Sequence, residues 1–459
     1  MIETGGPVVP RLEDPLPQMT ALYTSILLAG LSASAFAAAK PEIPTFNKDI
    51  QPILATHCQS CHRAGEIGPM PLMTYQEVRP WAKAIKDSVS SRRMPPWFAD
   101  PHVGKWANDR SMPKPHLDTL LAWIDGGGPE GKAADKRPAR EFVQGWNIPQ
   151  PDLVIEMPEP FDVPKEGKVD YQYLVIPMDL KDDKWIQMAE ARPSDASVVH
   201  HIVVFSRNPR SQWLRGEATP GKPFVPPATR ADGKPRNDIG GEGNEILTIY
   251  TPGNEPDVWK PGQAKFIAAG SDIVMQIHYT ANCKKAGRDR SRVGLIFAQQ
   301  PPTERIMTVS AGNSKFAIPP GDPNYPVNGR MNIPNGATLL SFFPHMHLRG
   351  KAFEYKVVTP GKEPELILKV TPYKFDWQLT YKLETPLVLP PGSRVEATGY
   401  FDNSPNNPFN PDPKATVPFG EQSWEEMMFG FFDISFDAKM SVRELMTPKR
   451  PAAANPAAE

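Results

Sequence analysis

The chain has 459 residues, enough for about three domains of ordinary size. Its 51 Lys+Arg against 52 Asp+Glu give a net charge of −1, which removes the electrostatic basis for binding nucleic acid or an anionic membrane surface. With 55 prolines it has little room for long helices, and three cysteines exclude a disulfide scaffold for most of the protein.

Residues 19–39 are a short apolar run ending in small residues, and Ala35-Phe36-Ala37 fits an A-x-A cleavage site. The run is short for a membrane span. Residues 1–39 are therefore expected to be an export signal, with Met19 as an alternative start and an uncleaved anchor as the rival reading. The mature protein is expected to be periplasmic or secreted and not integral to a membrane.

Asn47 is a suitable N-cap for a short helix that leads into Cys58-Gln59-Ser60-Cys61-His62. C-x-x-C-H is the attachment motif of c-type haem: the two thiols bond the vinyl groups and His62 reaches the iron. A redox dithiol or half a zinc site are the competing readings. The flanking helix, the export signal and downstream methionines all agree with haem. A methionine as sixth ligand suits an electron carrier. Met94, in a loop stiffened by Pro95 and Pro96, is the expected ligand, with Met70 and Met73 as rivals.

Leu117, Leu120, Leu121 and Ile124 fall at helical spacing over 115–125, and Gly126-Gly127-Gly128 ends the helix. His116 is expected to be a surface residue. The stretch 41–132 as a whole resembles a small class I cytochrome c, which implies an all-α fold and one covalently bound haem c.

Residues 133–150 read as a charged, proline-containing linker. From 151 onward, short apolar strands alternate with turn residues, the pattern of an all-β region. Residues 208–265 are rich in Gly and Pro and are expected to be surface loops. Residues 448–459, rich in Ala and Pro, are expected to be a disordered tail.

The β region holds five of the nine histidines, each in an apolar run: the adjacent pair His200-His201, the single His278, and His345 and His347. Side chains two apart on a strand share a face, so His345 and His347 project together and make half of a copper or zinc site. Adjacent side chains point to opposite faces. His200 and His201 reach one metal only through a twist, a bulge or a strand end. Unpaired imidazoles are costly to bury, so five in three apolar strands are hard to explain as packing.

The order HH, Q-x-H-Y, H-x-H, then Glu425-Glu426-Met427, resembles the copper type II, ascorbate-dependent monooxygenases over about residues 150–440. The resemblance implies two jelly-roll-like β-sandwich domains, expected at 151–285 and 286–447, each with one copper ion. It implies that His200, His201 and His278 hold the electron-transfer copper. His345, His347 and Met427 would hold the copper where O2 reacts, with Met428 as the alternative sulfur.

The fold class expected is thus multidomain: a small all-α cytochrome c domain followed by two all-β domains. The expected function is a secreted copper-dependent monooxygenase that hydroxylates a C–H bond, with two copper ions and one haem c. Its partners are O2 and a small substrate, with electrons from the fused haem and an external reductant or redox protein. Peptide-hydroxylating members of the family carry an Arg, an Asn and a Tyr where this chain has Phe343, Phe429 and Phe431. A substrate carboxylate would lack a partner there, which implies an apolar substrate instead of a peptidyl-glycine. The rival readings are a non-catalytic haem/copper electron-transfer or copper-binding protein, and an assembly partner that merely retains the histidines.

Overall fold

In the computed structural model the described residues are 42–448, apart from 144, 231–232, 234–235, 237–239, 241–242 and 284. The expected export segment and nearly all of the expected tail lie outside them. The described residues from Ile43 onward pack as one compact unit. Among the described residues, no helix is long and apolar enough to cross a membrane.

The N-terminal part holds four short α-helices: Gln51–His57, Tyr75–Val78, Ala82–Ser90 and Lys114–Asp125. A single helical turn, Phe46–Ile50, leads into the first, and Thr45 precedes that turn. Asn47, expected as the cap, instead donates its side-chain amide to the Lys132 carbonyl. Thr74 and Glu77 form a reciprocal capping box at the second helix. The fourth stops at Gly127 and Gly128, both at positive φ, where a side chain would be strained. Phe46, Ile50, Leu54, Val78, Ile85, Leu120 and Trp123 make one small core.

The expected self-contained all-α domain over 41–132 needs correction. Residues 97–110 leave the helices and pair with strands of the β region. Ala99 bridges Val370, and Trp106 bridges Leu383. Phe98, Ala99 and Trp106 are buried in the β core. The helical part is therefore stitched to the rest of the protein by backbone hydrogen bonds as well as by sequence.

The β region forms two sandwich-like layers. One four-stranded sheet has the order Gln172–Pro177, Asp272–Tyr279, Val199–Arg207, Glu245–Tyr250. A second has the order Tyr325–Ile333, Ser393–Phe401, Gly350–Val358, Glu365–Val370. A long sheet backs both. It runs from Leu153–Glu156 through Arg292–Phe297, Lys184–Arg192 and Gln263–Ile267 to Glu304–Asn313, Met428–Asp437, Ala337–His345 and Tyr381–Leu389. Parallel pairing of Gln263 and Ala264 with Glu304 and Arg305 joins its two halves. Period-two patterning drives this layering: in Ser393–Phe401, Val395, Ala397, Gly399 and Phe401 are buried while Arg394, Glu396, Thr398 and Tyr400 are only partly covered.

Two expectations shift. Strands Gly287–Asp289 and Arg292–Phe297 pair with strands of the first half, so strand pairing puts the division after Phe297 and not at 285/286. The 208–265 stretch also contains the strands Glu245–Tyr250 and Asp257–Val258 and the start of Gln263–Ile267. The first borders the histidine strand Val199–Arg207.

Candidate metal centre

The five β-region histidines are brought together. Register explains the adjacent pair: Val199 lies opposite Tyr279, and the next pairing is His201 with His278. His200 is the extra, bulged residue between them, and the bulge rotates its ring toward the side that His201 and His278 share. The Nδ1 atoms converge, with His200 Nδ1 3.3 Å from His201 Nδ1 and 3.2 Å from His278 Nδ1. The donor atoms of these three residues all lie within 4.8 Å of one another.

The outer nitrogens of His200 and His278 are occupied. His200 Nε2–H donates to the Phe375 carbonyl at 3.0 Å, which leaves Nδ1 with the lone pair. His278 Nε2 meets the Ser423 hydroxyl at 3.1 Å. This arrangement of inner lone pairs and outer hydrogen bonds is what a metal-ligating imidazole needs.

His345 ends the strand Ala337–His345, and His347 follows two residues on, with ring centroids 5.2 Å apart. Met346, between them, points the other way into the core. Here the outer nitrogen is Nδ1. His345 Nδ1–H donates to Gln378 Oε1 at 2.7 Å, and His347 Nδ1–H donates to the Glu425 carbonyl at 3.3 Å. Nε2 is left as the lone-pair atom on both.

The Glu425-Glu426-Met427 run has a physical role at each position. Glu425 orients His347 through its carbonyl. Glu426 accepts the backbone N–H groups of His347 and Arg349 at 2.9 and 2.6 Å. Met427 is buried and lines a small cavity, about 20 Å³, together with His345 and His201. Met428 instead packs in the C-terminal core. Its neighbour there is Gly399, where an added Cβ would lie 3.1 Å from the Met428 side chain.

The two histidine sets are neighbours, with His201 and His345 ring centroids 5.8 Å apart. Tyr171 stands between the sets. Its ring is 4.4 Å from His278 and 5.3 Å from His201, and its hydroxyl is 3.5 Å from His347 Nε2. Burial pushes every one of the five imidazoles down: His200 and His345 to about 4, and His201, His278 and His347 well below the usual value. They are neutral at pH 7, the form a metal takes. Phe343, Phe431, Val203 and Ile249 supply the apolar wall of the same cavity, and among the described residues no acid, lysine or arginine lines it.

In the helical part, Cys58 and Cys61 are free thiols, and burial first, then Cys61, pushes the Cys58 thiol up to about 12. His62 Nδ1–H donates to the Met70 carbonyl at 3.1 Å, so its Nε2 keeps the lone pair. Met70 packs on the helical core, as does Met112, which the sequence reading did not weigh; Met94 and Met73 are not among the residues packed there. His116 is not a lone surface residue: its Nδ1 lies 2.9 Å from His57 Nε2. A cavity of about 400 Å³ opens beside Cys61 and reaches Thr248, Ile249 and Tyr250. Ile249 borders both this cavity and the one at His201.

Tyr171, Phe375 and Gln378 were missed by sequence reasoning, and Ser423, in the segment that ends in Glu425-Glu426-Met427, was given no role. Each is a common residue type with no local pattern, and only long-range packing brings it to the imidazoles.

The fold and site thus define a β-sandwich protein with a buried imidazole and thioether cluster suited to copper. Residues 305–428 match the family described as copper type II ascorbate-dependent monooxygenase, C-terminal domain. That match supports a copper-dependent monooxygenase, an oxidoreductase, in general terms, and it includes His345, His347 and Met427. No curated protein matches the chain. Solved structures with some likeness include infectious bursal disease virus, Gx strain, at 6% identity and TM-score 0.17, covering 66% of this chain and 77% of that one. The Sputnik virophage is another, at 8% identity and TM-score 0.18, covering 69% and 94%.

Proposed function

We propose that this protein is an exported copper monooxygenase that hydroxylates a C–H bond of a small apolar substrate with O2. The observation that carries the reading is the convergence of five buried, neutral imidazoles and the Met427 side chain within the family-matched β region and its neighbour. His200, His201 and His278 would hold one copper through inward nitrogens. His345 and His347, through Nε2, and Met427 would hold the other. Copper bound there would supply one-electron chemistry and O2 activation.

The chain's own residues do the rest. Phe375, Gln378 and Glu425 fix which nitrogen His200, His345 and His347 offer, and Ser423 bonds the outer nitrogen of His278. Phe343, Phe431, Val203 and Ile249 give the substrate an apolar wall and exclude water. With no cation on that wall, a carboxylate substrate would be bound without a partner. The overall reaction, R–H plus O2 plus two electrons and two protons to R–OH and water, needs a reductant.

A haem on Cys58 and Cys61, with His62 as ligand, fits the residues present: free thiols and an imidazole with its outer nitrogen already bonded. We assign that haem the role of passing electrons toward the His200/His201/His278 site, in keeping with Ile249 as the shared wall of the two cavities. An external reductant or redox protein would supply the haem. The C-x-x-C-H motif and the export segment suit an extracytoplasmic compartment.

The small cavity at the cluster favours one rival, a non-catalytic haem/copper electron-transfer protein, because a substrate enters only if the cluster opens. Metal analysis and oxygen uptake separate the two. The monooxygenase reading expects about two coppers per chain and labelled oxygen from O2 in a hydroxylated apolar product. Copper uptake with no substrate-dependent O2 consumption across apolar candidates would leave the electron-transfer reading. No copper at all would sink both.

A further inference from the structure

We infer that residues 97–110, contributed by the helical part, are a positioning strap that holds the loop 371–380 and through it orients His345 and His200. The inference rests on the copper reading of the site above.

The loop touches the imidazole cluster at three points. Tyr373 uses its hydroxyl to donate to the Met346 carbonyl at 2.8 Å and to accept the Met346 N–H at 2.9 Å, which pins the residue between His345 and His347. Phe375 accepts from His200 Nε2–H and stacks on the same ring at 4.4 Å. Gln378 accepts from His345 Nδ1–H. One short loop therefore sets the ring orientation at both histidine sets.

The strap closes this loop at both ends. At the start, the Thr371 N–H donates to the Phe98 carbonyl at 3.0 Å, and the Asp100 N–H donates to the Lys369 carbonyl at 2.8 Å. At the end, the Asn108 side chain donates to the Thr380 carbonyl at 2.8 Å and accepts the Lys382 N–H at 2.9 Å. Trp97 and Trp106 pack on Tyr381 at 4.8 and 5.6 Å, just past the loop. A segment with these ties is part of the scaffold of the metal centre and not a free tether. Partners of this kind outside the ligand sphere typically change metal affinity by about 10–100-fold when removed.

Two variants and two readouts test the inference. Gln378→Leu removes the acceptor at His345. It is expected to lower copper affinity at the His345/His347 site by about 10–100-fold and to change the Cu(II) EPR signature, while Gln378→Glu restores both. Asn108→Ala changes no ligand and no residue lining the cavity at His201, His345 and Met427, and is expected to move the same signature in the same direction by less. In the metal-free full-length protein, Asn108→Ala is also expected to raise hydrogen exchange selectively in 371–380. Unchanged exchange there, or an unchanged EPR spectrum beside a shifted Gln378→Leu spectrum, would overturn the strap. Should the wild-type protein bind no copper, the copper reading fails by itself, and the exchange result still decides whether 97–110 holds the loop.

Discussion

Glu426 accepts the backbone N–H of His347 at 2.9 Å, so the residue just before Met427 also fixes the backbone at the second histidine of the H-x-H pair. Its other oxygen takes the N–H of Arg349. Glu426 is fully buried, and burial first of all raises its carboxyl to about 8. Glu426→Ala leaves two buried N–H groups unpaired, at about 1–3 kcal/mol each. Glu426→Gln keeps one acceptor and should fall between the variant and the wild type. Urea unfolding of the metal-free proteins measures the order; equal stability of all three would show that these bonds contribute nothing.

Met427 and Met428 should separate cleanly. Met428 lies in the C-terminal core, so Met428→Ala should cost about 2–5 kcal/mol, the usual range for truncating a buried methionine. It should leave copper–sulfur scattering in the X-ray absorption spectrum of the reduced protein intact. Met427→Ile keeps the volume and should remove that scattering with little change in stability. The reverse pattern would move the sulfur ligand to Met428.

The metal-free protein should weaken in acid over a defined window. Above about 6.5 the imidazoles are neutral both folded and unfolded, so they add no pH dependence. Below it the unfolded chain takes up protons, while the folded one, with His200 and His345 at about 4, does not. Protons then favour unfolding, and stability falls as pH drops from about 6.5 toward 4. Thermal melts from pH 7 to 4 test this against a His345→Asn, His347→Asn double variant, whose slope should be shallower. Identical slopes would mean that the rings are solvated.

At the helical part, the Met70 carbonyl holds His62 Nδ1. With that contact Met70 would lie on the His62 side of any haem held by Cys58 and Cys61, so its sulfur would be poorly placed as the second axial donor. Met70→Leu should therefore keep the sulfur-to-iron charge-transfer absorption of the oxidised protein, whereas Cys58→Ala with Cys61→Ala should lose covalent haem. Loss of the absorption in Met70→Leu would make Met70 the sixth ligand.

Several features were legible in the chain because their physics is local. The C-x-x-C-H run needs only neighbours in sequence. The helix at Lys114–Asp125 follows from apolar spacing and its terminal glycines. The shared face of His345 and His347 follows from the strand period, and the need for a bulge at His200-His201 follows from the same geometry.

Other features were settled only by pairings far apart in the chain. Gln378 and His345, Phe375 and His200, Tyr171 and His347, and Asn108 and Thr380 meet across gaps that carry no periodic signal. The strand Glu245–Tyr250 was obscured by its Gly- and Pro-rich flanks, and pairing with Val199–Arg207 defines it. Residue order specified which side chains carry donor nitrogens and sulfur. Tertiary packing determined which nitrogen faces inward, because a neutral imidazole offers its lone pair on the side away from whatever accepts its proton.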